Sequence, residues 1–456
     1  MATNPRLNLA TDIIVPEPPR LPSAPASWDS QFQDQYTNVL RLYFNRLQNL
    51  LQEINVAGGE TGIYPLGTAG DAFGRLRMSA PFTLFDSKNR YQADPQFAES
   101  LTAGASSNYS SVNASVTLAL DGTTAPQSAV RQTYRVFPYQ PGKSLLVFAT
   151  FSMGPAVGAV DTKIGYFDGT NGVYFRRSGS SLLFEIMKNG SVNESVAQAS
   201  WNGDKMDGTG VSGVTLNPTK TQILYIDFEW LGVGTVRCGF VQDGKLYVCH
   251  SFHHANIATS VYMTTATLPV RYEITDSTGS GVSSNLQQIC STVISEGGYE
   301  QVTADHVARR TSELTGFSNT FVPLVSIKLA SGREGAVVLV NRMQALPTVT
   351  QYYEVVLVKN ANLGGSLSWD STTSSNVVYD ESATSMSGGT IVQQEYITST
   401  AQGRLSTDAP TGYNWDLQLG VNLSGSSDTY TVGIRTLDAT PTADAWGSLS
   451  FYDLTD

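Results

Sequence analysis

The stretch VRCGFVQDGKLYVCHSF, residues 236–252, sets the fold class. Asp243–Gly244 is a two-residue hairpin signal, and the flanking runs are rich in Val, Phe, Tyr and Leu. Closing the turn pairs Val241 with Leu246, Phe240 with Tyr247 and Cys238 with Cys249. That register predicts two small buried thiols facing each other across an antiparallel pair. A disulfide formed later, in an oxidising exterior, is the alternative.

The same texture extends on both sides. From about residue 110 come SVTLAL, SLLVFATF, GVYFRR, LLFEIM, QILYIDFEW and VRYEI, each short, apolar and bounded by Gly, Asn, Asp or Pro. No helical period lies between them, which argues against a parallel α/β sheet. After CSTVISEGGY (290–299), residues 301–320 are polar. A second series then runs from FVPLVSIKLA through AVVLVNRM and TQYYEVVLVKN to SLSFYD. The predicted fold is mainly β: an extended arm and one amphipathic helix, then two antiparallel β-sandwich domains of jelly-roll or lectin-like type, 111–300 and 315–456. There is no fixed-period repeat, which disfavours a β-helix or propeller.

Residues 1–26 carry Pro5, Pro16, Pro18, Pro19, Pro22 and Pro25, so they lack backbone donors and favour an extended arm. Residues 27–57 read as an anchor helix, capped by Asp29 or Ser30 and stopped by Gly58–Gly59. Tyr36, Leu40, Tyr43, Leu47, Leu50 and Ile54 are spaced 4, 3, 4, 3, 4, a heptad seam that Phe44 and Leu51 widen. Such a face suits a trimeric coil or docking onto a large surface. An ordinary amphipathic helix packed on its own domain is the other reading.

Residues 58–110 read as neck and linker. Within them, DAFGRLRMSAPFTLFDSKNRY (71–91) sets Arg75 and Arg77 on one side of an alternating run. Pro81 interrupts it, and the apolar Phe82, Leu84 and Phe85 follow. Arg75, Arg77, Phe82 and Phe85 are expected to clip the helix to the first sandwich at a subunit contact. In an acidic chain the arginines pair with carboxylates more readily than with phosphate.

The 456 residues are only 15% charged and 41% hydrophobic, with a net charge of −11. An acidic chain without a basic run repels phosphate backbones, so nucleic acid is not expected as a partner. Three Cys exclude a disulfide scaffold and fit synthesis in a reducing cytosol. The opening MATNPRLNLATDIIVPEPPRLP lacks the basic start and apolar core of a signal peptide. No apolar run is long enough to cross a bilayer, and membrane insertion is not expected.

No stretch carries a complete catalytic or metal motif, and no cofactor is expected. QPGKS (140–144) ends like a phosphate-binding loop, but Phe137 replaces the required Gly and a strand follows instead of a helix. YIDFEW (225–230) puts Asp227 and Glu229 on one strand face, as paired glycosidase carboxylates would be. It weakly resembles the E-x-D-x-x-E strand of laminarinase-type glycosidases, yet Tyr225 and Trp230 occupy the two outer acid positions. Cys249, His250, His253 and His254 form the one ligand-like cluster. Cys249 and His250 are strand neighbours and are expected to point to opposite faces. FDGTNG (167–172) lacks the dense Asp pattern of a calcium loop and reads as a turn.

Several stretches, in order, resemble a family of tailed-bacteriophage virion proteins. They are NVLRLYFNRLQNLL, DAFGRLRMSAPFTLFDSKNRY, RQTYRVFPYQPGKS, DFEWLGVGTVRCGFVQDGKLY, LPVRYEI, CSTVISEGGYE and VVYDESATSMSGGTIV. The resemblance covers most of the chain. It implies a non-enzymatic particle component of fibre, spike or decoration type, with no catalytic residues to carry over. It also implies virion localisation, attachment to other head or tail proteins, and homo-oligomerisation, a trimer being favoured. Two alternatives stand beside it. One is recognition of a host surface glycan through aromatics of the C-terminal domain, for example Trp369, Tyr413, Trp415 and Trp446. The other is a depolymerase resting on Asp227 and Glu229.

Overall fold

A computed structural model describes residues 32–33, 35–45, 80–300, 305–398, 415–438 and 442–455. They fall into two units, one ending at Ser79 and one beginning at Ala80. In the first, residues 35–45 are helical. The second is built from antiparallel sheets.

Between Phe82 and Ser295 two sheets stack face to face. One runs Lys245–Phe252, Val236–Gln242, Gln222–Phe228, Leu145–Met153, Ser283–Ser295, Ser115–Asp121 and Ser106–Ser110, with Phe82–Lys88 also pairing to Ser283–Ser295. The other runs Ser191–Ala197, Ser181–Lys188, Gly172–Ser178, Val160–Phe167, Val270–Asp276, Gln127–Thr133 and Phe97–Thr102. Leu145–Met153 shows why these residues make a sandwich. Leu145, Val147, Ala149, Phe151 and Met153 are buried and the residues between them are not, the period of two that one covered face imposes. Phe151 and Phe240 from the first sheet meet Phe175 and Phe184 from the second, with ring centroids 5.2–6.1 Å apart for the contacting pairs. Trp201 closes the cluster 4.7 Å from Phe184.

A second sandwich has its own core. Asp305–Arg309, Leu314–Phe317 and Val338–Pro347 pair with Ala443–Asp453 in one sheet. The opposing sheet runs Asp370–Ser371, Val377–Asp380, Val322–Leu329, Thr429–Thr436, Tyr352–Lys359 and Thr390–Thr398. Ala443–Asp453 alternates buried and half-buried residues over its whole length, so the mainly β, sandwich-like class holds in both halves. The sandwiches touch through backbone and side chain. Val421 N donates to Tyr134 O at 3.0 Å, and Gln418 Nε2 donates to Val136 O at 3.0 Å.

Three expectations change. The hairpin at Asp243–Gly244 forms with positive φ at both turn residues, as a tight hairpin turn requires. Its register holds for Val241–Leu246 and Phe240–Tyr247, but Cys238 faces His250 and not Cys249. A bulge inserts Cys249, because Cys249 O and Val248 O accept hydrogen bonds from Gly203 N and Asp204 N of a loop alongside. Both thiols are buried and free, and burial pushes Cys249 up to about 12. The neck does not reach residue 110, since Phe82–Lys88, Phe97–Thr102 and Ser106–Ser110 are strands of the first sandwich. The polar residues before 315 also contribute, because Asp305–Arg309 pairs along Ala443–Asp453.

Candidate interaction surfaces

The helix carries the first part of the expected contact seam. Tyr36, Leu40 and Tyr43 are half-buried on residues 35–45. Phe32 lies 6.1 Å from Tyr36. Leu42 and Phe44 are 51% and 58% exposed. Phe44 stands one turn beyond Leu40 and widens the seam, while Leu42 lies off it, an apolar position that the heptad count did not single out. Covering a Leu or Phe side chain is worth roughly 1.5–3 kcal/mol. Leu47, Leu50 and Ile54 lie outside the described residues, as do Arg75 and Arg77.

Phe85 packs inside its own sandwich, and Phe82 beside it is half-buried. They belong to a strand paired with Ser283–Ser295, and a bulge between Thr83 and Phe85 turns both Leu84 and Phe85 inward. Phe85 is 2% exposed, 5.0 Å from the Phe137 ring and 5.9 Å from Phe97. Its strand partner lies some 200 residues later, which local sequence does not reveal.

The outer face of the Val160–Phe167 sheet carries charges that the sequence reading passed over. Arg176 bridges Asp161 at 2.9 Å and Glu185 at 3.1 Å. Glu273 accepts from Arg271 at 2.6 Å and Lys163 at 3.3 Å. Burial raises the Glu273 carboxyl, but Arg271 and Lys163 outweigh it and hold it below its ordinary value. Phe167 and Tyr174 lie 4.8 Å apart among them, and both rings are 1% exposed. Three cations face three anions and the rings are covered, so the charges on this face are largely paired with one another.

The candidate acids have different partners. Asp227 is paired to Arg237, and burial raises its carboxyl against that pull. Glu229 lies beyond the strand end and accepts from Thr235 N at 3.3 Å. The FDGTNG turn is organised by Asp168, whose carboxylate accepts from Thr170 N and Asn171 N at 2.6 and 2.7 Å. Among the described residues no group of His, Cys, Asp and Glu is placed to hold a metal ion, and no helix is long and apolar enough to cross a membrane.

The histidines also part. The bulge buries both Cys249 and His250, so the expected opposite-face placement fails. His254 stacks on Tyr262 at 4.1 Å, with Nε2 2.8 Å from Glu194 and Nδ1 2.5 Å from Gly234 O. Burial lowers its pKa, but the Glu194 hydrogen bond and the Gly234 carbonyl prevail and the net shift is upward. Two acceptors on two ring nitrogens call for the imidazolium. A raised folded pKa stabilises fully below the unfolded value near 6.5, and that contribution is lost as pH rises through the folded value. The unfolding midpoint difference between the native chain and His254→Asn is therefore expected to shrink from about pH 5 to about pH 9. A difference independent of pH would contradict the charged assignment.

Of the proposed glycan-facing aromatics, Trp369 is half-buried with Lys328 Nζ 4.0 Å over its ring, and Trp446 is half-buried on the outer side of its strand. Tyr413 lies outside the described residues, as does the side chain of Trp415. A different group of aromatics gathers at the seam of the two sandwiches. Tyr139, Trp230 and Tyr299 line a cleft of about 560 Å³ that also touches Leu454 and Thr455. Tyr139 and Trp230 meet edge to face at 6.0 Å, and Trp230 Nε1 donates to Met263 O at 3.2 Å. At the rim, Gln140 Oε1 accepts from Lys143 Nζ at 2.9 Å and from Glu300 N at 3.0 Å. The three rings lie in separate stretches 69–160 positions apart, and that separation hides the convergence from the sequence.

No family model matches the chain, and no curated protein matches it. Solved structures match about half of it. A Shewanella oneidensis MR-1 protein of unknown function shares 11% identity at a TM-score of 0.33, over 52% of this chain and 95% of that one. Bacillus licheniformis beta-glucanase shares 13% at 0.31, over 48% and 99%. The CBM2 module of the Lactobacillus casei BL23 phage J-1 evolved Dit shares 8% at 0.32, over 49% and 100%. At these scores none of them carries an activity or a ligand to this chain.

Proposed function

We propose that the chain is a non-enzymatic structural component of a tailed-bacteriophage particle, of fibre, spike or decoration type. It assembles as a homo-oligomer, a trimer, through the N-terminal helix, and the two sandwiches project. The observation that carries this reading is the helix at 35–45, where Leu42 and Phe44 are more than half exposed beside the half-buried Tyr36, Leu40 and Tyr43. An apolar surface of that density asks for partner chains. The ordered resemblance to virion proteins supports the particle assignment, and the two compact cores suit a module that must keep its shape outside the cell.

Native mass spectrometry of the full chain tests the assembly. A trimer is expected, and Leu40→Asp with Tyr43→Asp should give monomers whose sandwiches stay folded. A monomeric native chain would overturn the reading, as would a trimer untouched by the double substitution. Proteomics of purified particles tests the location.

A further inference from the structure

We propose that the cleft lined by Tyr139, Trp230 and Tyr299 is a binding site for a neutral saccharide, a ligand assignment that stands whether or not the chain is a virion component. The cleft's volume of about 560 Å³ lies within the range of small-molecule pockets, and its position where two sandwiches meet is a common one for such sites. Its chemistry is mixed in a particular way. Three half-buried aromatic rings supply apolar, polarisable surface, which suits the C–H faces of a pyranose. Around them stand Lys143, Glu300 and Thr267, groups that donate to and accept from hydroxyls. Lys143 and Glu300 oppose each other in sign, so the lining prefers neither an anion nor a cation.

The walls are preformed. The Trp230 indole is pinned to Met263 O at 3.2 Å, and the Tyr139 ring stacks 6.3 Å from Phe228 at 17°. Lys143 is held by Gln140 at 2.9 Å, and its stem runs so close to Gly297 that a Cβ there would stand 2.6 Å from Lys143 Cγ. On the other sandwich, Leu454 N donates to Val337 O and Thr455 Oγ1 accepts from Val337 N, both at 2.8 Å. Little ordering cost remains for a ligand to meet.

Saturation-transfer NMR on the full chain, with D-glucose, D-galactose, N-acetyl-D-glucosamine and L-rhamnose as probes, tests the site. Transfer to the ring C–H protons of at least one sugar is expected. Trp230→Ala should weaken that binding about tenfold, through loss of the stacking face. Glu300→Ala, at an exposed position outside both cores, should weaken it several-fold with the fold intact, so the test survives a misfolded Trp230 variant. No transfer from any of the four sugars would overturn the proposal. Transfer unchanged in Glu300→Ala and in folded Trp230→Ala would do the same, as would tighter binding of D-glucuronate than of D-glucose.

Discussion

Replacing Arg131 by alanine is expected to destabilise the first sandwich by about 3–5 kcal/mol, the usual cost of removing one partner from a buried charged network. The Arg131 side chain is 2% exposed and sits between the sheets. Its Nε donates to Gln288 Oε1 at 2.7 Å, a terminal nitrogen donates to Asp94 O at 3.0 Å, and Glu99 completes an ion pair. The guanidinium also lies 4.7 Å over the Phe97 ring. Alanine leaves all of these without their donor, and Gln288 Nε2 is already buried without a hydrogen-bond partner. Calorimetry of the full chain, following the transition of the first sandwich, reads the effect. A loss under about 1 kcal/mol would mean that water enters and replaces the guanidinium.

Phe175→Ala should cost a similar amount, about 3–5 kcal/mol, by a different route. Phe175 is fully buried and touches Phe184 on its own sheet and Phe151 and Phe240 on the facing one. It is therefore one of the rings through which the two sheets grip each other. Removing it opens a cavity whose walls are held by strand pairing on both sides and cannot collapse fully. Phe175→Leu fills most of that space and should cost clearly less in the same denaturation experiment. Equal losses for the two variants would point to the aromatic contact itself and not to the cavity.

Strand identity was legible where one face is covered by the other sheet. Leu145–Met153 and Ala443–Asp453 alternate so regularly that burial follows from sequence alone. The tight turn at Asp243–Gly244 was legible because few residue pairs tolerate its backbone. Misreadings cluster where the deciding partner is remote. Cys249 bulges because a loop at 203–204 claims its strand's carbonyls, and nothing in 236–252 announces that loop. Phe82–Lys88 looked like a linker because Ser283–Ser295, which makes it a strand, comes so much later. The aromatic cleft failed the same way, since only the stacking of the two sandwiches brings Tyr139, Trp230 and Tyr299 to one place. The helix seam was readable as a spacing, and the structure places Tyr36, Leu40 and Tyr43 on one helix, while Leu47, Leu50 and Ile54 lie outside the described residues.

In both sandwiches the first strand pairs with the last. Phe82 stands opposite Ser295, and Asp305 stands opposite Tyr452. The chain thus enters and leaves each module at the same end of one antiparallel strand pair. Tension applied through the ends does not shear a whole sheet. It peels one strand pair at a time, loading hydrogen bonds in series as in a zipper. The contacts that join the two sandwiches lie away from these end pairs, so an optical trap should record low-force opening at the paired ends before the seam between the sandwiches yields.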